Sequence, residues 1–514
     1  MAVTRFPAAQ RSFLVSHLPS VVRPPTTVFT VGLILGVAAL IARLPLALSA
    51  LAVVGASLVV AVLIRPWIGL PVLAVAIPFA AVKPLSIGGL PLDGADLLLG
   101  LVIAAWLAQG VIRRRILLPR APLSLPLLAF VGVLAVALVG AQSYRDGLPE
   151  LIKWLQVLLL YWCVAAVLPQ NRAGWLIAGL LVAGIGQALL GLVQFVTQSG
   201  PEAFVLLGRF MRAYGTFGQP NPYAGYLGLV APFAISLALW AWFGRAGTTL
   251  LSHTGAANQR QVRILRVVLP AAAVVISLGL LVSWSRGAWL AFAVAVAVVV
   301  LAHTRRAAPV VLVAVTLAVG FTVVFGLVDL LPASLVNRVS ELQQFVGLVN
   351  IQSIEVTDAN FSVIERIAHW QAALGMWADH PWLGVGIGNF ATAYPAYNLP
   401  RWYEPLGHAH NVYLNFGAEA GLLGFVAYLV LWIACLWQAV RAAAVSNRFV
   451  AAVGAGVLGA LTHATIHNLF DNLWVQHMYL NLALFLGLLA VLTANGRPHS
   501  QSKSGEFVSN VSDA

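Results

Sequence analysis

The chain has 514 residues, of which 61% are hydrophobic and 9% charged, with mean hydropathy +0.91 and formal net charge +13. Soluble domains carry about a quarter charged residues, so a soluble core with a single anchor is excluded. The positive charge does not point to nucleic acid, because the basic residues sit in short stretches between apolar runs rather than on one face.

In chain order, Arg5, Arg11 and Arg23 precede the first apolar run, a signal-anchor pattern. Apolar runs near the ~20 residues that cross a bilayer as helix then recur from Thr27 to Thr493. Fourteen are predicted, centred near residues 36, 56, 75, 103, 132, 159, 185, 232, 273, 295, 318, 424, 458 and 484. Backbone polar groups in lipid must be satisfied within the segment, so these runs are helices. The expected fold is an all-α integral membrane protein, a polytopic bundle of about 12–14 transmembrane helices with one long outer loop containing helices. Cys163 and Cys435 lie inside apolar runs and show neither metal spacing nor a disulfide framework.

Orientation follows from lysine and arginine. With the N-terminus in the cytoplasm, the even-numbered loops together with the N-terminus and the tail hold 19 of the 29 basic residues, while Glu506 and Asp513 are the cytoplasmic acidic ones among 16. Both termini are then expected inside, in a cytoplasmic (inner) membrane, and the loop at about 329–409 faces outward with segments 201–223, 283–287 and 467–476. The polar chemistry thus collects on the side away from ATP and nucleotide sugars. That asymmetry favours a substrate that carries its own activated bond across the membrane. Residues 1–200 read as N-terminal spans, 201–440 as the motif-bearing region, 441–495 as the last spans and 496–514 as a disordered cytoplasmic tail.

Four motifs lie on the outer side. The first runs Arg212-Ala-Tyr-Gly-Thr-Phe-Gly-Gln-Pro-Asn-Pro-Tyr. Its glycines and prolines make a rigid turn, with Asn221 expected as a helix N-cap whose free N–H groups suit an anion. The plain alternative is a well-made loop-to-helix junction. The second, Ser283-Trp-Ser-Arg286-Gly, puts a guanidinium at the bilayer surface, where it either snorkels or grips a phosphate with two parallel hydrogen bonds.

The third motif, from Glu365 to Phe390, reads as an amphipathic outer helix ended by Asp379-His380-Pro381, then a glycine-rich turn carrying Asn389. Arg366, His369 and Trp370 share one face at i, i+3, i+4. The fourth is Gly407-His408-Ala-His410-Asn411, followed by Gly417, Gly421 and Gly424 on the same helix face as His410. The Gly417/Gly421 pair is expected to admit another helix closely. Glu419 falls near the opposite face, so a structural bond across helices is its expected role. His408 and His410 lack a third ligand close in sequence, so no metal is expected there. Asp93 and Asp96 read as solvated turn residues or, alternatively, a divalent-metal pair. His467-Asn-Leu-Phe-Asp471-Asn472 either positions an acceptor or caps helices.

From Arg212 to Gly424 these motifs, in this order, resemble the O-antigen ligase/polymerase family of bacterial multi-span proteins. The resemblance implies a GT-C-like, metal-independent and cofactor-free glycosyltransferase acting on an undecaprenyl-diphosphate-linked glycan. Its partners would be that lipid-linked oligosaccharide donor, a glycan, lipid or protein acceptor, and the bilayer. By motif position it makes Arg286 and Arg366 the diphosphate-binding arginines and His410 the general base, with Arg212, Asn221, His369, Asn389, His408 and Asn411 around the substrate. Attack opposite the diphosphate would invert the anomeric carbon. The alternative class is a multi-span transporter of a small anion such as bicarbonate, for which Glu419 is the acidic candidate at membrane depth.

Overall fold

The computed structural model describes residues 45–82, 85–87, 90–114, 119, 121–206, 208–243, 259–304, 309–310, 355–356 and 361–494. The expected spans near 36 and 318, the N-terminal arginines, most of 329–360 and the tail at 496–514 lie outside these residues. The chain divides into two compact units, Met1–Ala61 and Val62–Ala514.

Helix α1 (Leu46–Ile64) begins in the first unit. In the second follow α2 (Gly69–Ala76), α3 (Gly94–Ile112), α4 (Ser124–Val139), α5 (Tyr144–Val167), α6 (Ala173–Thr197) and α7 (Pro220–Phe243). Then come α8 (Gln259–Leu281), α9 (Arg286–His303), α10 (Phe361–Asp379), α11 (Phe390–Ala393), α12 (Val412–Ala443), α13 (Arg448–His467) and α14 (Met478–Thr493). The sheet is confined to two short antiparallel pairs, β1 (Leu85–Ile87) with β2 (Leu90–Leu92) and β3 (Val205–Leu206) with β4 (Phe210–Met211).

Among the described residues nine helices are long and apolar enough to cross a membrane, and three shorter apolar stretches occupy the other expected places. The protein is therefore a multi-pass all-α membrane protein. One expected span differs in form: the third is broken into a 3-10 turn at Pro66–Ile68, α2, and a second 3-10 turn at Ile77–Val82. Pro66, Pro71 and Pro78 supply no backbone N–H there, which breaks a continuous α ladder.

Helix α14 is the central post of the second unit, buried on every side from Met478 to Leu492. It packs chiefly on α5, with α12 and α13 beside it. Apolar surface gains little from leaving lipid, so such helices associate through close fit. Helix α13 shows the device: a Cβ on Gly456 would stand 2.9 Å from Phe233 of α7, and one on Gly459 would stand 2.5 Å from Val299 of α9. Side chains therefore set the α13–α7 and α13–α9 spacing at those glycines.

Among the described residues several odd-numbered loops meet at one end of this bundle. Ser143 before α5 pairs with Asn389 before α11, Gln476 before α14 donates to the Phe217 carbonyl, and His477 reaches Asp96. Asp93 caps α3 with its side chain while Asp96 bonds back to the Asp93 N–H, a capping box. The reading of both as solvated turn residues is thus corrected.

Helix α12 is interrupted near its outer end. Gly421 has φ 63° and ψ −162°, outside the helical region. The turn after α10 fills the gap: Val385 N–H donates to the Ala418 carbonyl, and Leu422 and Leu423 N–H donate to the Pro381 and Trp382 carbonyls. A Cβ on Gly421 would meet the Trp382 backbone at 2.2 Å, and one on Gly417 would meet the Trp377 ring at 2.3 Å. The close approach foreseen at this glycine pair is real, but its partners are the α10 end and its turn, not a second transmembrane helix. Because the helix breaks at Gly421, a constant 100° per residue does not hold past it.

Candidate active site

Three arginines from separate chain segments come within electrostatic reach of one another. Arg212 follows β4 and is held from both sides: its Nε donates to the Ser283 carbonyl at 3.0 Å and its Nη2 to Asn221 Oδ1 at 3.2 Å. Asn221 is therefore no N-cap; α7 starts at Pro220, and the Asn221 side chain orients the arginine instead. Burial first, then the charges of Arg366 and Arg286, pull the Arg212 guanidinium down to about 10. Gathering like charges costs energy unless an anion is the intended partner.

The Arg212 loop is fixed by two glutamines on α6. Gln194 accepts from the Tyr214 and Gly215 N–H groups and donates to the Gly215 carbonyl. Gln187 accepts from the Thr216 N–H and donates to the Pro78 carbonyl. Neither residue stands out in the sequence, since each sits in an apolar run. Arg286 begins α9 after a turn in which Trp284 takes φ 53° and the Ala213 N–H bonds the Val282 carbonyl.

Arg366 on α10 donates through Nε to the Phe470 carbonyl at 3.0 Å and through Nη1 to the Ser362 carbonyl at 2.7 Å. His369, one turn on, is buried between the Glu365 and Glu404 carbonyls at 2.8 and 3.0 Å and stacks on Tyr394. Burial lowers its pKa, with the neighbouring His410 acting in the same direction.

His410 occupies a left-handed conformation, φ 51°, which a non-glycine residue adopts only where its surroundings fix it. Its N–H donates to His408 Nδ1 at 3.0 Å, and its carbonyl receives Trp370 Nε1 at 3.5 Å. Its Nδ1 lies 3.4 Å from Asp471 Oδ1, while its Nε2 is buried with no hydrogen-bond partner. Burial works against the Asp471 carboxylate, yet the His410 hydrogen bond and the charges of His408, His410 and Arg366 hold its pKa well below the usual range. An ionised carboxylate only accepts, so Nδ1 carries the proton, and in that tautomer the lone pair belongs to Nε2.

Burial and His410 depress the His408 imidazole to about 4, so it stays neutral and keeps accepting the His410 N–H. Asn411 caps α12 by accepting from the Tyr413 and Leu414 N–H groups and donates to the Leu469 carbonyl. Asn389, fully buried, exchanges hydrogen bonds with both backbone groups of Ser143 and also donates to the Ile387 carbonyl. Glu419 accepts from the Phe390 N–H and from Asn415 Nδ2. It braces the glycine-rich turn and its own helix rather than a second span.

The third group missing near His408 and His410 in sequence arrives in space: ligand atoms of His408, His410 and Asp471 all lie within 4.8 Å of one another. The same holds for Asp93, Asp96 and His477. In each set a protein hydrogen bond already joins one pair of side chains, His410 with Asp471 and His477 with Asp96. Asp471, which the sequence places only in a segment that positions an acceptor or caps helices, instead lies against His410.

Residues 271–429 match the family model described as O-Antigen ligase. The matched stretch contains Arg286, Arg366 and His410, whereas Arg212 and Asp471 lie on either side of it. No curated protein matches the chain. The match and the apolar helices together support a membrane glycan-processing enzyme.

Proposed function

We propose that this O-antigen ligase-type chain transfers a saccharide from an undecaprenyl-diphosphate-linked donor to an acceptor hydroxyl, as a ligase or polymerase of cell-envelope polysaccharide. The observation that carries the reading is the pairing of a free His410 Nε2, backed by Asp471, with the Arg212, Arg286 and Arg366 cluster. A base without an anion site, or an anion site without a base, would fit many membrane proteins. Both together fit displacement of a diphosphate by an alcohol.

The steps follow from the groups. Arg286 and Arg366 bind the diphosphate, and Arg212 adds a third positive charge. His410 Nε2 removes the acceptor hydroxyl proton as its oxygen bonds the anomeric carbon, and the carbon–phosphate oxygen bond breaks opposite, inverting the centre. The electron pair leaves on the lipid diphosphate, where guanidinium charge stabilises it more in the transition state than in the ground state. The imidazolium formed is stabilised by the Asp471 carboxylate. Asn221, His408 and Asn411 orient these groups, and His369 and Asn389 fix the α10 layer above them. The arginines do the charge work without a metal. We assign the end of the bundle that carries the site to the extracytoplasmic face of the inner membrane, with both termini in the cytoplasm and a GT-C-like arrangement, on the lysine and arginine asymmetry of the loops.

Transport of a small anion is less well supported. Its acidic candidate, Glu419, spends its oxygens on Phe390 and Asn415. The test is the purified protein with a lipid-diphosphate oligosaccharide and candidate glycan, lipid and peptide acceptors, with and without chelator. Transfer that persists in EDTA and is lost in His410→Ala by about 10²–10⁴-fold is expected. Uptake of a labelled anion with no transfer, or transfer restored only by a divalent cation, overturns the respective part.

A further inference from the structure

The segment between α13 and α14, Asn468 to His477, touches several parts of the candidate site. Its Asn468, Leu469 and Phe470 carbonyls accept from Val412 N–H, Asn411 Nδ2 and Arg366 Nε respectively. Asp471 meets His410, and Gln476 Nε2 donates to the Phe217 carbonyl in the Arg212 motif. Lys153 Nζ donates to the Trp474 carbonyl from α5. One ten-residue loop thus fixes the base, two arginine-bearing segments and the α12 cap relative to each other.

The far end of this loop is held in an unusual way. Gln476 and His477 both take left-handed backbone conformations, φ 48° and 62°. Neither is glycine, and two such residues in succession persist only where contacts over-determine them. The contacts are at hand. His477 presents Nε2 to Asp96 Oδ1 at 3.0 Å and Nδ1 to Asp93 Oδ2 at 3.4 Å. Both carboxylates belong to the capping box of α3, which is rigid for that reason. Neither ring nitrogen is left for another partner, and an imidazole donates from both nitrogens only as the cation.

We propose that His477 is a positioning residue for the transfer reaction, a two-pronged latch that ties the loop bearing Asp471 to the start of α3. It touches no substrate. It acts by holding Asp471 against His410 Nδ1, and so rests on the proposed function above. The groups facing its ring are Asp93 and Asp96 from α3 and Tyr479 from its own helix, whose ring centroid is 5.8 Å away. Glu150 and Lys153 of α5 stand behind Tyr479. The two aspartates oppose burial and raise the His477 pKa, in keeping with a protonated latch.

The experiment uses the full chain in proteoliposomes, with His477→Gln, His477→Ala and Asp96→Asn. A glutamine amide can donate to one carboxylate but cannot bridge both as a cation. In the two His477 variants kcat is expected to fall roughly 10- to 100-fold, as for a base displaced by about an ångström, with donor KM within about threefold of wild type. Wild-type kcat should decline on the alkaline side as His477 loses its proton. That limb should move to lower pH in Asp96→Asn and vanish in His477→Gln. Wild-type kcat and an unchanged alkaline limb in His477→Gln overturn the latch while leaving the proposed function intact. Hydrogen exchange supplies a readout independent of turnover: amides of 468–477 should exchange faster in His477→Ala, with α13 and α14 unchanged. Protection equal to wild type there overturns the proposal even if the wild type transfers no glycan.

Discussion

Asp471 and His410 stand 61 positions apart in the chain, yet Oδ1 of one lies 3.4 Å from Nδ1 of the other. The contact decides which nitrogen of His410 is basic, because a carboxylate there accepts only a proton-bearing Nδ1. An amide in the same place reverses the preference. Asp471→Asn should cut turnover by about 10²-fold or more, as loss of the orienting carboxylate does in catalytic triads, and leave donor binding near normal. Single-turnover rates beside a donor-binding isotherm check this; a variant with wild-type turnover would remove Asp471 from the mechanism.

Arg212 reaches Ser283 and Asn221 with two different nitrogens. A lysine keeps the charge but has a single ammonium group, which does not reproduce that planar reach. Arg212→Lys should lower kcat/KM for the lipid donor about 10- to 100-fold, the equivalent of one or two charge-assisted hydrogen bonds. Arg286→Lys should behave alike. Equal kcat/KM in both variants would mean the cluster does not bind the donor.

Glu419→Gln keeps one acceptor oxygen for Phe390 or Asn415, so transfer should stay within about tenfold of wild type. Glu419→Ala, which leaves the buried Phe390 N–H unsatisfied, should lower thermal stability by about 1–3 kcal/mol. A transporter predicts a different order, with Glu419→Gln the most harmful of all the changes. Measuring glycan transfer and anion uptake side by side distinguishes the two.

His408 also makes a statement about stability. Its folded pKa of about 4 lies below the unfolded value near 6.5. Between those values the unfolded chain takes a proton that the folded one refuses, so stability falls as pH drops from about 6.5 toward 4. Asp471, held below its usual range, acts in the same direction only at lower pH. The melting temperature should therefore fall between pH 7 and pH 5. His408→Asn, which keeps a neutral side chain with an acceptor oxygen, should flatten that slope. An identical slope in the variant would show that other groups cause it.

The spans were legible because lipid leaves few options: a long apolar run has to be helix, whatever its neighbours. Arg286, Arg366 and His410 stand out as candidates in the sequence because each lies in a compact motif with its own glycines or neighbouring polar groups. Asp471 was visible as a polar residue beside the last span, but its partner was not, since no local period connects positions in different loops. Gln187 and Gln194 were hidden by the apolar runs around them. Asn221 and the Gly417/Gly421 pair were noticed for the wrong reason. In each case a pattern that usually serves the local helix serves a segment distant in sequence, Arg212 for Asn221 and the turn after α10 for the glycines.

The break at Gly421 changes where this molecule can be cut and rejoined. The short piece from Val412 to Ala420 is bonded to the α10 turn through Ala418 and Glu419, and it follows directly on His410. Mechanically it belongs with the outer layer rather than with the remainder of α12. A chimaera that exchanged the outer segment at the start of α12 would part Glu419 and Ala418 from the turn they hold. One joined just after Leu423 would carry the base, its cap and every bond between the turn and α12 across as a single module, leaving Asp471 and the Asn468, Leu469 and Phe470 carbonyls among the points at which the new module has to fit.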